Sequence, residues 1–211
     1  MTLTLLLMTT STAHALDPGK RITQYNQRAW AEEAGLPHAM VNAIAQTPDG
    51  YLWVGTDGGL ARFDGMSFTT YSPQNTKALR SPRVRALLVD RKGALWIGLE
   101  GGSMLVRYKD GVFESYGNKL HMSGNAVITL FEDRRGDLWI GGWRGVGRLR
   151  DGVFQMFDEG QSGLGAGTVW AICEDGQGAI WLTTHSGISR YKDGTFRTFT
   201  TKDGLPSASV R

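Results

Sequence analysis

Four histidines, His14, His38, His121 and His185, are the side chains best suited to acid–base or metal chemistry, and they are scattered along the chain. None falls at a spacing that a zinc site uses, so no metal is expected. No Gly-x-Ser-x-Gly elbow is present to expose a nucleophilic serine. Glycine-rich stretches lie between expected strands rather than ahead of helices, so they form no phosphate cradle. The sequence therefore predicts no catalytic residue and no cofactor. Binding chemistry reads better. Asp57, Glu100, Trp143 and His185 each follow a recurring tryptophan by four residues, and Arg144 and Ser186 stand beside two of them. An indole such as Trp143 stacks on a flat apolar ring face, as a sugar presents. Asp57, Glu100 and Arg144 can bond its hydroxyls. The plainer reading of these positions is turn chemistry, with Asp57 accepting from its own backbone.

What would hold such residues in place is a repeat. Trp53, Trp96, Trp139 and Trp181 are 43, 43 and 42 residues apart. Leu52, Leu95, Leu138 and Ile180 precede them, and Gly50, Gly93, Gly136 and Gly178 stand three residues before. Val41, Val84, Val127 and Val169 lie twelve residues before, and Ile44, Leu87, Leu130 and Ile172 nine before. Beyond each tryptophan come Arg62, Arg107, Arg148 and Arg190, then an Asp-Gly pair and a phenylalanine: Phe68, Phe113, Phe154, Phe196. Arg107 comes two residues late, which places an insertion near Gly101-Gly102-Ser103. The repeated aromatics read as packing. The repeated arginines are expected to lie over neighbouring strands or to pair with the turn aspartates.

Each unit parses into four short strands. The first is the apolar run from the valine, such as Val127 to Phe131, expected to be buried on both faces. The second carries Leu-Trp-Ile-Gly. The third carries the arginine, and an Asp-Gly hairpin leads to the fourth. Four strands in about 42 residues make one blade of a β-propeller. The fold expected is all-β, with about four blades of four antiparallel strands plus partial ones. The loops between second and third strands then share one end, so Asp57, Glu100, Trp143, Arg144 and His185 are the candidate ligand-binding set.

Composition agrees. Hydrophobic residues are 41% and charged residues 20%, enough apolar content for a packed core. A net charge of +3 without a basic stripe argues against nucleic acid. Residues 1–15 read as an export signal: Leu3 to Met8 is apolar, and Ala13-His14-Ala15 suits a signal peptidase. Nothing else approaches the ~18 apolar residues of a membrane span. The single Cys173 has no partner for an internal disulfide and sits in an apolar run, where a buried thiol is expected.

The consensus Gly-x-Leu-Trp-(Ile/Val)-Gly-Thr-x-x-Gly-Leu-x-Arg-(Tyr/Phe)-x-Asp-Gly resembles the two-component regulator propeller repeat, and Gly50 to Gly65 follows it almost throughout. Gly35-Leu36-Pro37, recurring as Gly204-Leu205-Pro206, resembles that family's connection between blades. The fourth copy departs at Thr183, where the others have glycine. The resemblance spans 22–211. It implies a periplasmic sensor region that precedes a membrane helix and a histidine kinase or diguanylate cyclase. It also implies an oligosaccharide or other small-molecule ligand, and membrane contact only through C-terminal regions outside this sequence. A propeller enzyme, lyase or glycan-cleaving, and a purely structural interaction propeller are the alternatives.

Val210 aligns with the first-strand valines, so a fifth unit begins near 204, with its tryptophan due near 222. Seven blades need about 300 residues. The expected domain, 16–211, is a partial propeller, a piece of a longer one. Ile22 to Tyr25 is expected as the fourth strand of a closing blade. Open blade ends are expected to favour self-association. A closed four-bladed ring is the alternative.

Overall fold

The computed structural model describes residues 19–21, 23, 28–101, 104–117, 126–158 and 163–210. The export segment 1–15, His121 and the expected closing-strand residues Ile22 and Tyr25 lie outside them.

Four antiparallel sheets of four strands follow one another along the chain. The first holds β1 (Val41–Gln46), β2 (Leu52–Thr56), β3 (Leu60–Phe63) and β4 (Phe68–Tyr71). The second holds β5 (Val84–Val89), β6 (Leu95–Leu99), β7 (Leu105–Lys109) and β8 (Val112–Ser115). The third holds β9 (Val127–Glu132), β10 (Leu138–Gly142), β11 (Gly145–Arg150) and β12 (Val153–Asp158). The fourth holds β13 (Ala171–Glu174), β14 (Ile180–Thr184), β15 (Gly187–Lys192) and β16 (Thr195–Phe199). Each is a simple meander, and the first strands of successive sheets pack on one another. These are propeller blades with first strands innermost. The first strands are less buried than their apolar runs suggest. In β9 only Val127 is buried, because an innermost strand is a sheet edge, paired on one side only.

Every joint between blades has the same construction. The tryptophan faces forward, onto the third and fourth strands of the next blade. Trp53 lies 4.7 Å from Tyr108, and Trp139 lies 5.2 Å from Tyr191, ring centre to ring centre. The Leu or Ile before each tryptophan faces backward, so Leu95, Leu138 and Ile180 are buried by the blade before. Five residues ahead of three of the four first-strand valines stands a buried leucine, Leu36, Leu79 or Leu164, and Leu79 and Leu164 plug joints between blades.

The glycine after the second-strand aliphatic follows from this packing. A Cβ on Gly55 would lie 2.5 Å from Val84 Cγ1, and one on Gly98 would lie 2.7 Å from Val127 Cγ1. Both valines belong to the next blade, so a methyl group here would push the blades apart. The fourth blade has Thr183 at this place, and its hydroxyl accepts from Ala171 N at 3.2 Å.

The recurring turns are side-chain built. Asp90, Asp133 and Asp175 each accept an indole N–H, from Trp96, Trp139 and Trp181, at 2.8, 2.9 and 2.8 Å. The other oxygen of each accepts two turn amides. In the first blade the Thr47 hydroxyl takes the Trp53 indole at 3.0 Å. The turn aspartates are thus engaged by the indoles. The arginines stack instead on the tryptophans opposite them: Arg62, Arg107, Arg148 and Arg190 lie 5.9, 5.9, 5.6 and 5.6 Å from the ring centres. Of the two placements expected, over a neighbouring strand or on a turn aspartate, the arginines take the first, because cross-strand neighbours meet before more distant groups do.

The Asp-Gly hairpins form as expected in three blades, where Asp110, Asp151 and Asp193 have φ near +50° and a positive-φ glycine follows. The first blade differs. Its loop to Phe68 is one residue longer, and Asp64 instead accepts from Met66 N and Ser67 N.

Two connections share another device. Glu32–Ala34 and Thr201–Asp203 form single 3-10 turns, closed by Gly35 and Gly204 at φ of +97° and +99°. Aligning them places Trp30 on Phe199 and Arg28 on Arg197, the residues that end a fourth strand. The contacts agree: Arg28 lies over Trp30, as Arg197 lies over Phe199. Trp30 meets Phe63 at 5.1 Å, as Phe157 meets Tyr191 at 5.4 Å. Residues 28–30 thus stand where a fourth strand ends in the other connection; of the expected closing strand 22–25, only Thr23 is among the described residues.

Candidate functional site

The four loops between second and third strands emerge together, because all blades run in the same sense. A hydroxyl satisfies the turn in two of them. Thr56 Oγ1 accepts from Gly58 N and Gly59 N and donates to Gly59 O. Thr184 Oγ1 accepts from Ser186 N and donates to Gly187 O. The next residue, Asp57 or His185, is thereby released from turn duty. Asp57 makes no bond to its own turn: its Oδ1 accepts from Asn42 Nδ2 at 2.8 Å and lies 3.3 Å from Arg85 Nη1.

Asp57 and Glu100, on adjacent blades, are brought together by Arg85. The guanidinium reaches Glu100 Oε2 at 2.5 Å through Nη2 and at 2.6 Å through Nε. Arg83 adds a contact to Glu100 Oε1 at 3.1 Å. Two carboxylates that would repel each other share a cation, with Arg85 and Asp57 only about 29% and 28% exposed. Asn42 also donates to Val84 O, tying this group to the blade joint.

Arg85 aims at this end because of a β-bulge. The pairing of β5 with β6 slips between Val84 and Ala86, and that of β1 with β2 slips between Val41 and Ala43. The bulged residues, Arg85 and Asn42, turn toward the loops. The corresponding residue of the fourth blade is Trp170, whose ring lies 5.4 Å from that of His185. Gly167 permits this, since a Cβ there would meet His185 Cβ at 2.8 Å. Trp143 and Arg144 form the tip of the β10–β11 hairpin, both exposed, the indole to 40%.

Of the residues expected, the structure joins Asp57 with Glu100 and places His185 against Trp170. Among the described residues, no hydrogen bond or ion pair joins Trp143 or Arg144 to either group. Sequence reasoning missed Asn42, Arg83, Arg85 and Trp170. A signal existed for three of them: Asn42, Arg85 and Trp170 all stand eleven residues before a blade tryptophan, next to the constant valine, and no two are alike. The end thus divides into a charged, internally paired half on blades one and two and an aromatic, more open half on blades three and four. Among the described residues, no three His, Cys, Asp or Glu side chains gather to hold a metal.

Residues 35–58, 121–144 and 163–186 match the two component regulator propeller family. Three stretches of the chain are thus repeats of the two component regulator propeller type. The matched stretches cover the first, third and fourth repeats and skip the second, which carries the insertion. Thr183 lies inside a matched stretch, so its departure does not disturb the family pattern.

The fold is that of solved propeller domains. The extracellular domain of a hybrid two component system from B. thetaiotaomicron has 18% identity and a TM-score of 0.68 over 79% of this chain. The extracellular domain of a one component system from the same organism has 20% identity and a TM-score of 0.68 over 81%. The chain spans 24% of the length of each. Virginiamycin B lyase from Staphylococcus aureus has 19% identity and a TM-score of 0.63, covering 79% of this chain and 56% of the lyase. At these identities the likeness is one of fold. No curated protein sequence matches the chain. Among the described residues, no helix is long and apolar enough to cross a membrane.

Proposed function

We propose that this chain is a ligand-sensing propeller region, exported to the periplasm, of a two-component or cyclic-di-GMP signalling receptor. Its ligand is an oligosaccharide or another small molecule. One observation carries the reading: bulges and loops of a constant frame aim unlike side chains at one end of the blades. Asn42, Arg85 and Trp170 come from the inner strands, and Asp57, Glu100, Trp143 and His185 come from the loops. A fixed scaffold with variable tips is the usual geometry of recognition. The family match and the extracellular signalling domains of like fold support the same reading.

The two halves have different tasks in this reading. The Arg85 group is held by its own ion pairs and sets the shape of the rim. Trp143, Arg144 and His185 are exposed and meet the ligand, the indole stacking on a sugar face and Arg144 bonding hydroxyls. Calorimetry of the chain against a glycan panel tests this. The double variant Trp143→Ala, Arg144→Ala is expected to abolish heat for any glycan the parent binds. Unchanged affinity in that variant would remove the aromatic half from the site.

A further inference from the structure

The turns between first and second strands, and the hairpins between third and fourth, lie at the end of the blades opposite the rim. There a cleft of about 310 Å³ opens in the joint between blades three and four. Its walls carry four cations, Arg135, Arg148, Arg150 and Lys192, and three carboxylates, Asp133, Glu174 and Asp193. Two of the carboxylates are engaged within the frame. Asp133 holds the Trp139 indole and two turn amides, and Glu174 Oε2 accepts from Arg134 N at 2.8 Å. Arg150 is engaged too, its Nε 2.9 and 2.8 Å from the two oxygens of Asp137.

Arg148 differs. Its half-buried guanidinium sits among Trp139, Phe157 and Tyr191, 5.6, 5.9 and 5.8 Å from the ring centres. Nη2 donates to Gln155 Oε1, Nη1 lies 3.4 Å from the Tyr191 hydroxyl, and Nε is buried without a hydrogen-bond partner. Among the described residues Arg148 forms no ion pair. Blade two is built otherwise: the residue across the strands from Arg107 is Glu114, whereas the one across from Arg148 is Gln155. A carboxylate stands beside the arginine in one blade and a neutral amide in the next. A guanidinium drawn into an aromatic joint is disfavoured unless a counter-charge offsets its lost hydration.

We propose that this cleft binds a small oxyanion, a carboxylate or a phosphate, which supplies the counter-charge that Gln155 does not. Guanidinium groups bond both kinds of oxyanion strongly. The Tyr191 hydroxyl, accepting from Arg148, keeps its own proton to donate. Arg135 adds an exposed cation from the turn of blade three, and Gln177 faces it from the turn of blade four. The bound anion touches both blades, so it fastens their joint and stabilises the fold by linkage. The site is separate from Trp143 and Arg144 at the rim.

Sodium phosphate and sodium malonate, titrated separately into the chain at constant ionic strength, test the proposal by calorimetry and melting temperature. Saturable binding of at least one is expected, and the tighter of the two shows whether the tetrahedral or the planar oxyanion fits. Gln155→Glu sets a fixed carboxylate beside Arg148. It should weaken binding by about tenfold or more and raise the melting temperature of the anion-free chain. Arg135→Gln, and Tyr191→Phe, which keeps the ring in the joint, should each weaken binding several-fold. Trp143→Ala with Arg144→Ala should leave the affinity for these anions unchanged. Absence of saturable heat with both anions would overturn the proposal. So would parental affinity in Gln155→Glu or in Arg135→Gln, or loss of binding in the rim variant. Circular dichroism checks that each variant is folded. If Gln155→Glu is not, Arg135→Gln, altered at an exposed side chain, decides.

Discussion

Trp139 and Trp181 are the same residue in the same register, each with an aspartate on its indole nitrogen and an arginine over its ring. Trp139 is 1% exposed, while Trp181 is only partly buried. The local design is identical, and the difference is the neighbour. In a propeller the tryptophan contributes most when the next blade covers it, so stability accumulates at joints more than within sheets.

Substitution should separate the two positions. Trp139→Ala opens a cavity in a sealed joint and is expected to cost about 3–5 kcal/mol. Trp181→Ala should cost less than half as much, measured by urea unfolding at a concentration where the chain is monomeric. Equal losses would mean that the joint adds little to what the blade supplies itself.

The glycine rule gives the next effect. Gly141→Val would put a Cβ 2.5 Å from Thr129 Cγ2 and 2.9 Å from Val169 Cγ1, and overpacking of this kind costs about 1–3 kcal/mol. Thr183→Gly, at the matching place on the open face, should change stability by about 1 kcal/mol or less. Thermal melts of both variants would show whether close approach of blades, rather than the strand itself, demands glycine.

The turn aspartates extend the comparison to pH. Asp133→Ala leaves the buried Trp139 indole N–H and two turn amides unpaired, a loss of about 1–3 kcal/mol. On the open blade, the Trp181 indole and then the Ala179 amide hold the Asp175 carboxyl down to about 2, from the ordinary 3.8. A lowered folded value means stability that is present above 3.8 and lost as pH falls through about 2. Acid unfolding of Asp175→Asn should therefore be flatter across that window than that of the parent. The same slope in both would assign the acid loss elsewhere.

The smallest effect belongs to the links between turns. Arg134 N donates to Glu174 Oε2 at 2.8 Å, and its side chain, 60% exposed, reaches Gly176 O at 3.3 Å. Arg134→Ala keeps the backbone bond and should cost about 0.2–1 kcal/mol, falling with added salt.

Much of the frame was legible because a repeat displays its constraints four times over. The tryptophan spacing, the Asp-Gly turns and the matching Gly-Leu-Pro connections all correspond to built features. The plugs at Leu79 and Leu164 were equally regular but sit in loops of unlike sequence, where nothing else marks them. Cys173 shows the limit most plainly. Its apolar run suggests burial, yet it is exposed, because among the described residues no blade packs on the side of the strand it occupies. The site shows a related limit. Asp57 and Glu100 were visible as unlike residues at like positions. Arg85, which joins them, depends on a bulge that no residue type announces.

The sequence by itself determined the blade: four strands, their turns, and which residues face their neighbours, since these follow from local chemistry repeated at a constant period. Tertiary structure alone decided which copies of that design are sealed and which are open, and which polar groups meet at the rim. Those outcomes depend on what packs against each face, and identical residues give different results when one has a neighbour and the other does not.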